Sequence, residues 1–544
     1  MTAGETTATE KRAARPGARV DASRRVFWIG FAFAALMSVL WALASPVFSV
    51  PDENAHVLKA VAQMRGQFFG ESAEGRKHPV VDLPEGYDYN DGMMCHVDEP
   101  QHSADCGIEF GDGTGQSVGE TWVSSYNPIY YAMVGWPSLL TDDAVLAVYA
   151  MRVLSALLCS VLLGWAFQLA VAGRRTRWMP LGAAFLVLPM VVYLAGSVNP
   201  NGVEIAAGAA LWLGGLRLLE SHADGGVPAS RPRWYLWLVV TVAAVLLANA
   251  RAIGPLWVLV IAVACAAVVG WRAAGRMFAT RGSYPWIGAI AAASVFSFGW
   301  TLATGGVAGQ AGESDAVLVG VSPIVGFLAM LRRTGQWAQH SLGDFGWLDT
   351  PLPPEMYALV LVPLSLFVLL AVTGTDRRGL LVNVGAAVLV VLVPAIVQGL
   401  QISRTGLIWQ GRYGLVLFLA IPLAAAWALS RPAGHRLAFL SQRITWVGAA
   451  MLAVYSAFAY GWVLRRFTEG IPDPQTGDTS GTTWQPPIGE IPLIVVHTVV
   501  VLAFAVWIGL LARSAAERDD LPAEGDDTAA VPPAGARGTD AARA

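Results

Sequence analysis

VFWIGFAFAALMSVLWALASPVF, residues 26–48, carries no charged side chain and is long enough to cross a hydrocarbon core of about 30 Å as a helix. Before it stands a polar stretch with Lys11, Arg12, Arg15, Arg19, Arg24 and Arg25. After it comes SVPDENAHVLK, residues 49–59. Ala42-Leu43-Ala44 has the small-residue pattern of a signal-peptidase site, yet the run exceeds the roughly 7–15 apolar residues of a signal peptide. It therefore reads as a retained first span.

The same pattern recurs along the chain. Apolar runs begin near residues 26, 144, 179, 202, 234, 254, 285, 356, 379, 411, 444 and 490. Hydrophobic residues make up 55% of the 544 and charged residues 14%, against roughly 25% charged in a soluble domain. The expected fold class is an all-α polytopic membrane protein with about twelve transmembrane helices. A net charge of −3 and the lack of a basic stripe with interleaved aromatics argue against a nucleic-acid partner.

Basic residues gather in alternate connections: Arg174, Arg175 and Arg177; Arg231 and Arg233; Arg272, Arg276 and Arg281; Arg377 and Arg378; Arg431 and Arg436. The positive-inside rule makes that side cytoplasmic, and an even number of spans puts both termini there. Residues 1–25 and 512–544 read as disordered cytoplasmic tails around a membrane domain, 26–511. On the other side lie two large loops, 49–143 between spans 1 and 2 and 304–354 between spans 7 and 8. Loops of that length in a compact protein are usually functional. The first is acidic, with Asp52, Glu53, Glu71, Glu74, Asp82, Glu85, Asp88, Asp91, Asp98 and Glu99. Most of these read as a solvated face.

Chemistry concentrates where spans end. Asp52, His56 and Lys59 fall on one face of a helix opened by Pro51, with Glu53 three residues before His56. Ser49 and Asp52 also resemble a capping box, so acids here can simply meet the helix dipole. Gly343-Asp344-Phe345-Gly346-Trp347-Leu348-Asp349-Thr350-Pro351 reads either as a functional turn or as a Pro/Gly-shaped re-entry to the membrane. Arg404, and Arg412 beside Tyr413, are well placed for an anion. Arginine suits bidentate phosphate recognition, although snorkelling is the alternative. Arg251 sits between two spans too closely spaced for a loop, and intramembrane charge points to function or to a buried pair. Asn127-Pro128 and Asn199-Pro200 read as helix starts that shape the fold. Cys95 and Cys106 share the first loop, where a disulfide is the leading reading and a zinc site with His96 and His102 the other. Cys159 and Cys265 read as packing. No nucleotide loop, zinc-protease or serine-hydrolase motif is present.

Pro51-Asp52-Glu53-x-Ala55-His56, Gly346-Trp347-Leu348-Asp349-Thr350-Pro351-Leu352-Pro353 and Gln410-Gly411-Arg412-Tyr413, in this order, resemble the bacterial membrane-protein family of domain of unknown function 2142. That family is in turn similar to the GT-C superfamily of polytopic glycosyltransferases, which includes protein mannosyltransferases and the aminoarabinose transferases of lipid A. The resemblance implies a multi-pass protein of the bacterial cell membrane. It implies transfer of a hexosyl or pentosyl unit from a polyprenyl-phosphate carrier to a glycan, lipid or protein acceptor outside the membrane. Asp52 matches the catalytic acid position and would be the general base, with Glu53 as its partner. Arg251, Arg404 and Arg412 are placed at the donor phosphate by charge and topology alone. His56, Lys59, Trp347, Asp349 and Tyr413 would support them. No nucleotide cofactor is required, and a divalent cation is compatible with the chemistry. A flippase for a lipid-linked glycan would scatter charge through mid-membrane depth, whereas these spans are mostly Ala, Leu and Val. An envelope-assembly scaffold, in which Asp52 and Glu53 merely cap a helix, is the third reading.

Overall fold

Each long apolar run folds as a helix, because a segment in hydrocarbon must satisfy its backbone N–H and C=O groups internally. The computed structural model describes residues 16–87, 91–107, 115–173, 175–223, 232–305, 316–473 and 475–520. Most of the two expected tails (1–15 and 521–544), Asp88, Arg174, Arg231 and the middle of the second large loop lie outside the described residues. Among the described residues ten helices are long and apolar enough to cross a membrane. The first, Pro16–Ala44, begins ahead of the apolar run, and the last, Glu490–Asp519, extends past it.

The other two expected crossings are present in a different form. The segment from 179 is broken into Met179–Ala184 and Pro189–Ala195. Leu188 precedes a proline, which disfavours the helical region, and it stands extended at ψ 147°. The segment from 254 is the helix Gly254–Val269, 16 residues and so about 24 Å long. At Gly270, with φ +125°, the chain turns through 113° into Trp271–Ala279. Only glycine adopts that backbone freely.

Helix Pro200–Glu220 is the centre of the bundle. Of its most apolar stretch 94% is buried inside the protein, against 6% for the peripheral segment Arg281–Ala303. Lipid is as apolar as leucine, so helices in a bilayer associate through close packing at small residues. At Gly208 a Cβ would lie 2.2 Å from Cγ2 of Val416, which brings the central helix against the segment that carries Arg412.

The first large loop folds on one end of the bundle. Helix Glu53–Met64 is buried from Glu53 to Gln63. Strands β1 (Val80–Pro84) and β2 (Gln116–Glu120) pair antiparallel with Asp82 opposite Val118. The second loop adds helices Pro323–Arg332 and Thr334–Gly343, then a two-residue ribbon of β3 (Asp344–Phe345) and β4 (Thr350–Pro351). Trp41, fully buried near the end of the first helix, stacks on Phe345 at 5.2 Å and meets Tyr193 and Tyr460 edge-on at 5.3 and 5.1 Å. One aromatic cluster thus fixes the second loop over the end of the first span.

Candidate functional site

Asp52 stands at φ +64° and ψ 0°, in the left-handed region, one residue before helix Glu53–Met64. That conformation costs an L-residue about 1–2 kcal/mol relative to the right-handed helix, least for Asn and Asp. The capping box expected from Ser49 and Asp52 does not form. Ser49 Oγ donates instead to the Pro46 carbonyl at 2.9 Å, and the Asp52 carboxylate accepts no capping hydrogen bond. It is a quarter exposed and turns to Arg412 Nη2, which donates to Oδ2 in a close ion pair.

Arg412 comes from 360 residues further along the chain, in the turn that opens the segment Gly411–Ser430. Its side chain is 2% exposed, and its Nε and Nη1 are buried with no partner among the described residues. Its guanidinium lies 5.2 Å from the centre of the Tyr413 ring, and that of Arg251 lies 4.0 Å from the same ring. Arg251 donates to Asn201 Oδ1 at 2.8 Å, is hydrogen-bonded to Tyr126, and stands 3.9 Å from Glu204. Glu204 accepts in turn from Trp257 Nε1 at 2.9 Å. His56 meets the Tyr131 hydroxyl through Nδ1 at 2.8 Å. Burial pushes His56 down to about 3, and Arg251 and Arg412 add to that against Asp52, so the imidazole is neutral. Burial also holds Lys59 at about 8, where it donates to the Phe68 carbonyl. One end of the bundle therefore presents a carboxylate, two guanidinium groups and a wall of tyrosines.

The family profile described as Predicted membrane protein (DUF2142) matches residues 35–424. The chain belongs to this family. None of the curated proteins matches it. The DUF2142 segment contains Asp52, Arg251, Arg412 and every side chain just described. It ends inside the segment that follows Arg412, so the last two long helices lie beyond it.

Within this DUF2142 segment the other expected residues take different places. Glu53 is not beside Asp52 in function, because its carboxylate is fully buried in a bidentate pair with Arg152 at 2.8 and 2.5 Å. The Phe48 and Val198 amides donate to it as well, at 3.1 and 3.0 Å. Arg152 spends its remaining donors on the Ala42, Ser45 and Pro46 carbonyls at the end of the first helix. This is a splice between spans, and Glu53 has no lone pair left to act as a base. Arg404 is exposed in the last turn of helix Arg377–Thr405, and among the described residues it joins none of the bonds around Asp52. Arg251 is already committed to Asn201, Tyr126 and Glu204, whereas Arg412, beside Asp52, keeps open donors among the described residues.

Trp347 donates to the Phe48 carbonyl at 3.2 Å, so the β3–β4 turn is latched to the chain just before Asp52. Asp349 accepts from the Asp98 amide at 3.0 Å and pairs at 3.4 Å with Arg466, a fully buried arginine. Arg466 also holds the carbonyls of His96, Glu99 and His102. Cys95 and Cys106 are joined by a disulfide inside that loop. With His96 they are the cluster whose atoms could hold a metal among the described residues, and the disulfide takes both sulfurs out of it. The acids Glu53 and Glu204 both face arginines, and His56 uses Nδ1 on Tyr131. Asn127 and Asn199 cap their helices as expected, and Asn199 also donates to the Pro51 carbonyl at 2.8 Å.

Sequence reading missed Arg152, Glu204, Asn201 and Tyr126. The first two carried a usable signal, since Arg152 is the lone charge of its apolar helix and Glu204 stands in an apolar stretch well before Arg217 and Glu220 at the end of its own. Asn201 and Tyr126 lay inside stretches read as fold-shaping, and nothing local marks them as partners of Arg251.

Proposed function

We propose that this protein is a membrane glycosyltransferase of the GT-C type. It moves a hexosyl or pentosyl unit from a polyprenyl phosphate to a cell-envelope acceptor on the extracytoplasmic side of a bacterial membrane. The observation that carries the reading is Arg412. A buried guanidinium with two unpartnered donors, directly against a carboxylate a quarter exposed, is suited to an incoming anion. The site also lies at the end of the bundle away from Arg177, Arg276, Arg378 and Arg431, as the positive-inside rule requires of an external site.

In this reading Asp52 waits in its pair with Arg412. The phosphodiester of the donor competes for Arg412 and releases the carboxylate toward the acceptor hydroxyl. The hydroxyl oxygen then attacks the anomeric carbon, its proton passes to Asp52, and the bond from that carbon to the phosphate oxygen breaks. Charge on the departing polyprenyl phosphate grows from −1 to −2, and Arg412, with Arg251 behind Tyr413, stabilises the increase. A single displacement of this kind inverts the anomeric carbon. The lipid phosphate is the activated group, so no nucleotide is required. Glu53 positions the chain through Arg152.

The test is sugar transfer from polyprenyl-phosphate donors by protein reconstituted in liposomes. Asp52→Asn keeps the size of the side chain and removes the base, and turnover is expected to fall by about two to four orders of magnitude. Full turnover by folded Asp52→Asn would overturn the assignment. So would movement of an intact lipid-linked glycan across the bilayer without transfer.

A further inference from the structure

A second group of unpartnered polar atoms adjoins Arg412. Helix Thr334–Gly343 runs into β3, and the turn at Gly411 is pressed against it. A Cβ at position 411 would fall 2.2 Å from the Trp337 carbonyl oxygen and 2.6 Å from His340 Cβ. Ser341 Oγ donates to the Gly411 carbonyl at 2.9 Å, which pins the two segments together. Around this contact His340 Nδ1, Asp344 Oδ1 and Gln410 Oε1 are buried without a partner among the described residues, as are Arg412 Nε and Nη1. His340 and Asp344 are 7% and 5% exposed. Their mutual approach, His340 Nε2 to Asp344 Oδ2, is 3.7 Å, too long for a hydrogen bond that would satisfy them.

Native proteins leave few buried polar atoms unpaired, and several from two adjoining segments mark a place where a ligand supplies the partners. The mixture of types narrows that ligand. Asp344 Oδ1 and Gln410 Oε1 accept, His340 Nδ1 can do either, and Arg412 only donates. A bare phosphate leaves the acceptors Asp344 Oδ1 and Gln410 Oε1 unanswered. A prenyl chain answers none of them. Adjacent hydroxyl groups, each able to donate and accept, answer the first three, and an attached phosphate answers the last. Trp337, whose ring meets His340 edge-on at 5.5 Å, adds an apolar wall of the kind a sugar ring packs against.

We propose that His340, Asp344 and Gln410 form the sugar-reading subsite, binding hydroxyl groups of the glycosyl unit whose phosphate is held by Arg412. This rests on the reading of Arg412 as the donor-phosphate site, and the experiment separates the two. Purified full-length protein is titrated with polyprenyl phosphate and with the same lipid carrying glucose, mannose or arabinose, and binding is followed by intrinsic Trp fluorescence. The wild type is expected to bind at least one sugar-bearing lipid some tenfold tighter than the bare lipid. Asp344→Asn and His340→Gln, which nearly preserve shape, should each erase most of that preference and leave affinity for the bare lipid unchanged. Arg412→Gln should weaken both. If the wild type binds bare and sugar-bearing lipids equally, or if both subsite variants keep the preference, the subsite is wrong while the phosphate site stands. If bare lipid does not bind, or Arg412→Gln leaves its binding intact, the phosphate site fails and the subsite with it.

Discussion

Asp52 and Glu53 are adjacent acids that a sequence presents as a pair, and the structure gives them opposite surroundings. Glu53 accepts from Arg152 and two backbone amides and is sealed from solvent. Asp52 is strained, partly open and held by one arginine. Their variants should separate accordingly. Removing one partner of a buried, hydrogen-bonded ion pair costs about 3–5 kcal/mol. Glu53→Gln is therefore expected to lower the yield of folded protein and its thermal midpoint in detergent. Asp52→Asn should lower both by much less, because Asp52 is partly exposed and the amide oxygen of Asn can still accept from Arg412. Equal thermal midpoints for Glu53→Gln and wild type would show that Arg152 is satisfied without it. The sequence carried half of this distinction. The helix start and its acids are local and were legible. The partners Arg152 and Arg412 arrive from 99 and 360 residues away, and only tertiary structure chooses which acid receives which.

At the scale of elements, the same separation shows in what could be read. Continuous apolar runs became helices as expected, since hydrocarbon leaves the backbone no alternative. The run from 179 carried its own warning in Pro189, and the run from 254 in Gly270. The large loops gave no periodicity that could predict their docking, which depends on Trp41, Trp347 and Arg466. The disulfide loop 91–107 is a testable element. Closing so short a loop contributes about 3 kcal/mol by chain entropy, so reduction should make the loop sensitive to protease before the bundle unfolds. Acid should act on it too. Burial and the nearby Arg466 hold His96 down at about 4. A lowered pKa means that the folded loop prefers the neutral ring. That stability is complete above about 6.5, the unfolded value, and is lost as pH falls from there toward 4. Neighbouring Asp98 is shifted up by burial and by Asp349 and Glu99, so its protonation favours the folded loop and opposes part of that loss at the low end. Limited proteolysis between pH 7 and 4 should show rising cleavage in 91–107, and His96→Gln should flatten the upper part of that profile. An unchanged profile in the variant would show that the acid response does not come from His96.

In the whole molecule, topology and chemistry meet at one end of the bundle. Asp52, Arg251 and Arg412 all lie at helix ends that fall on one side of the bundle, and Arg177, Arg276, Arg378 and Arg431 lie at the opposite ends. In the proposed reading, Asp52 as base and Arg412 as anion site on one face suit a donor whose phosphate sits at the membrane surface and whose prenyl chain stays in lipid. The functional reading needs that face to be external. Single cysteines test this without removing the native ones, since Cys159 and Cys265 are buried and Cys95 and Cys106 are oxidised. Lys77 and Thr479 are exposed on the Asp52 side, and Thr280 and Ser514 are exposed on the other. In intact cells an impermeant maleimide should label Lys77→Cys and Thr479→Cys, and it should reach Thr280→Cys and Ser514→Cys only after the membrane is opened. The reverse pattern would put Asp52 and Arg412 in the cytoplasm. It would leave the ion pair and the bundle untouched and would remove the extracytoplasmic acceptor from the proposed reaction.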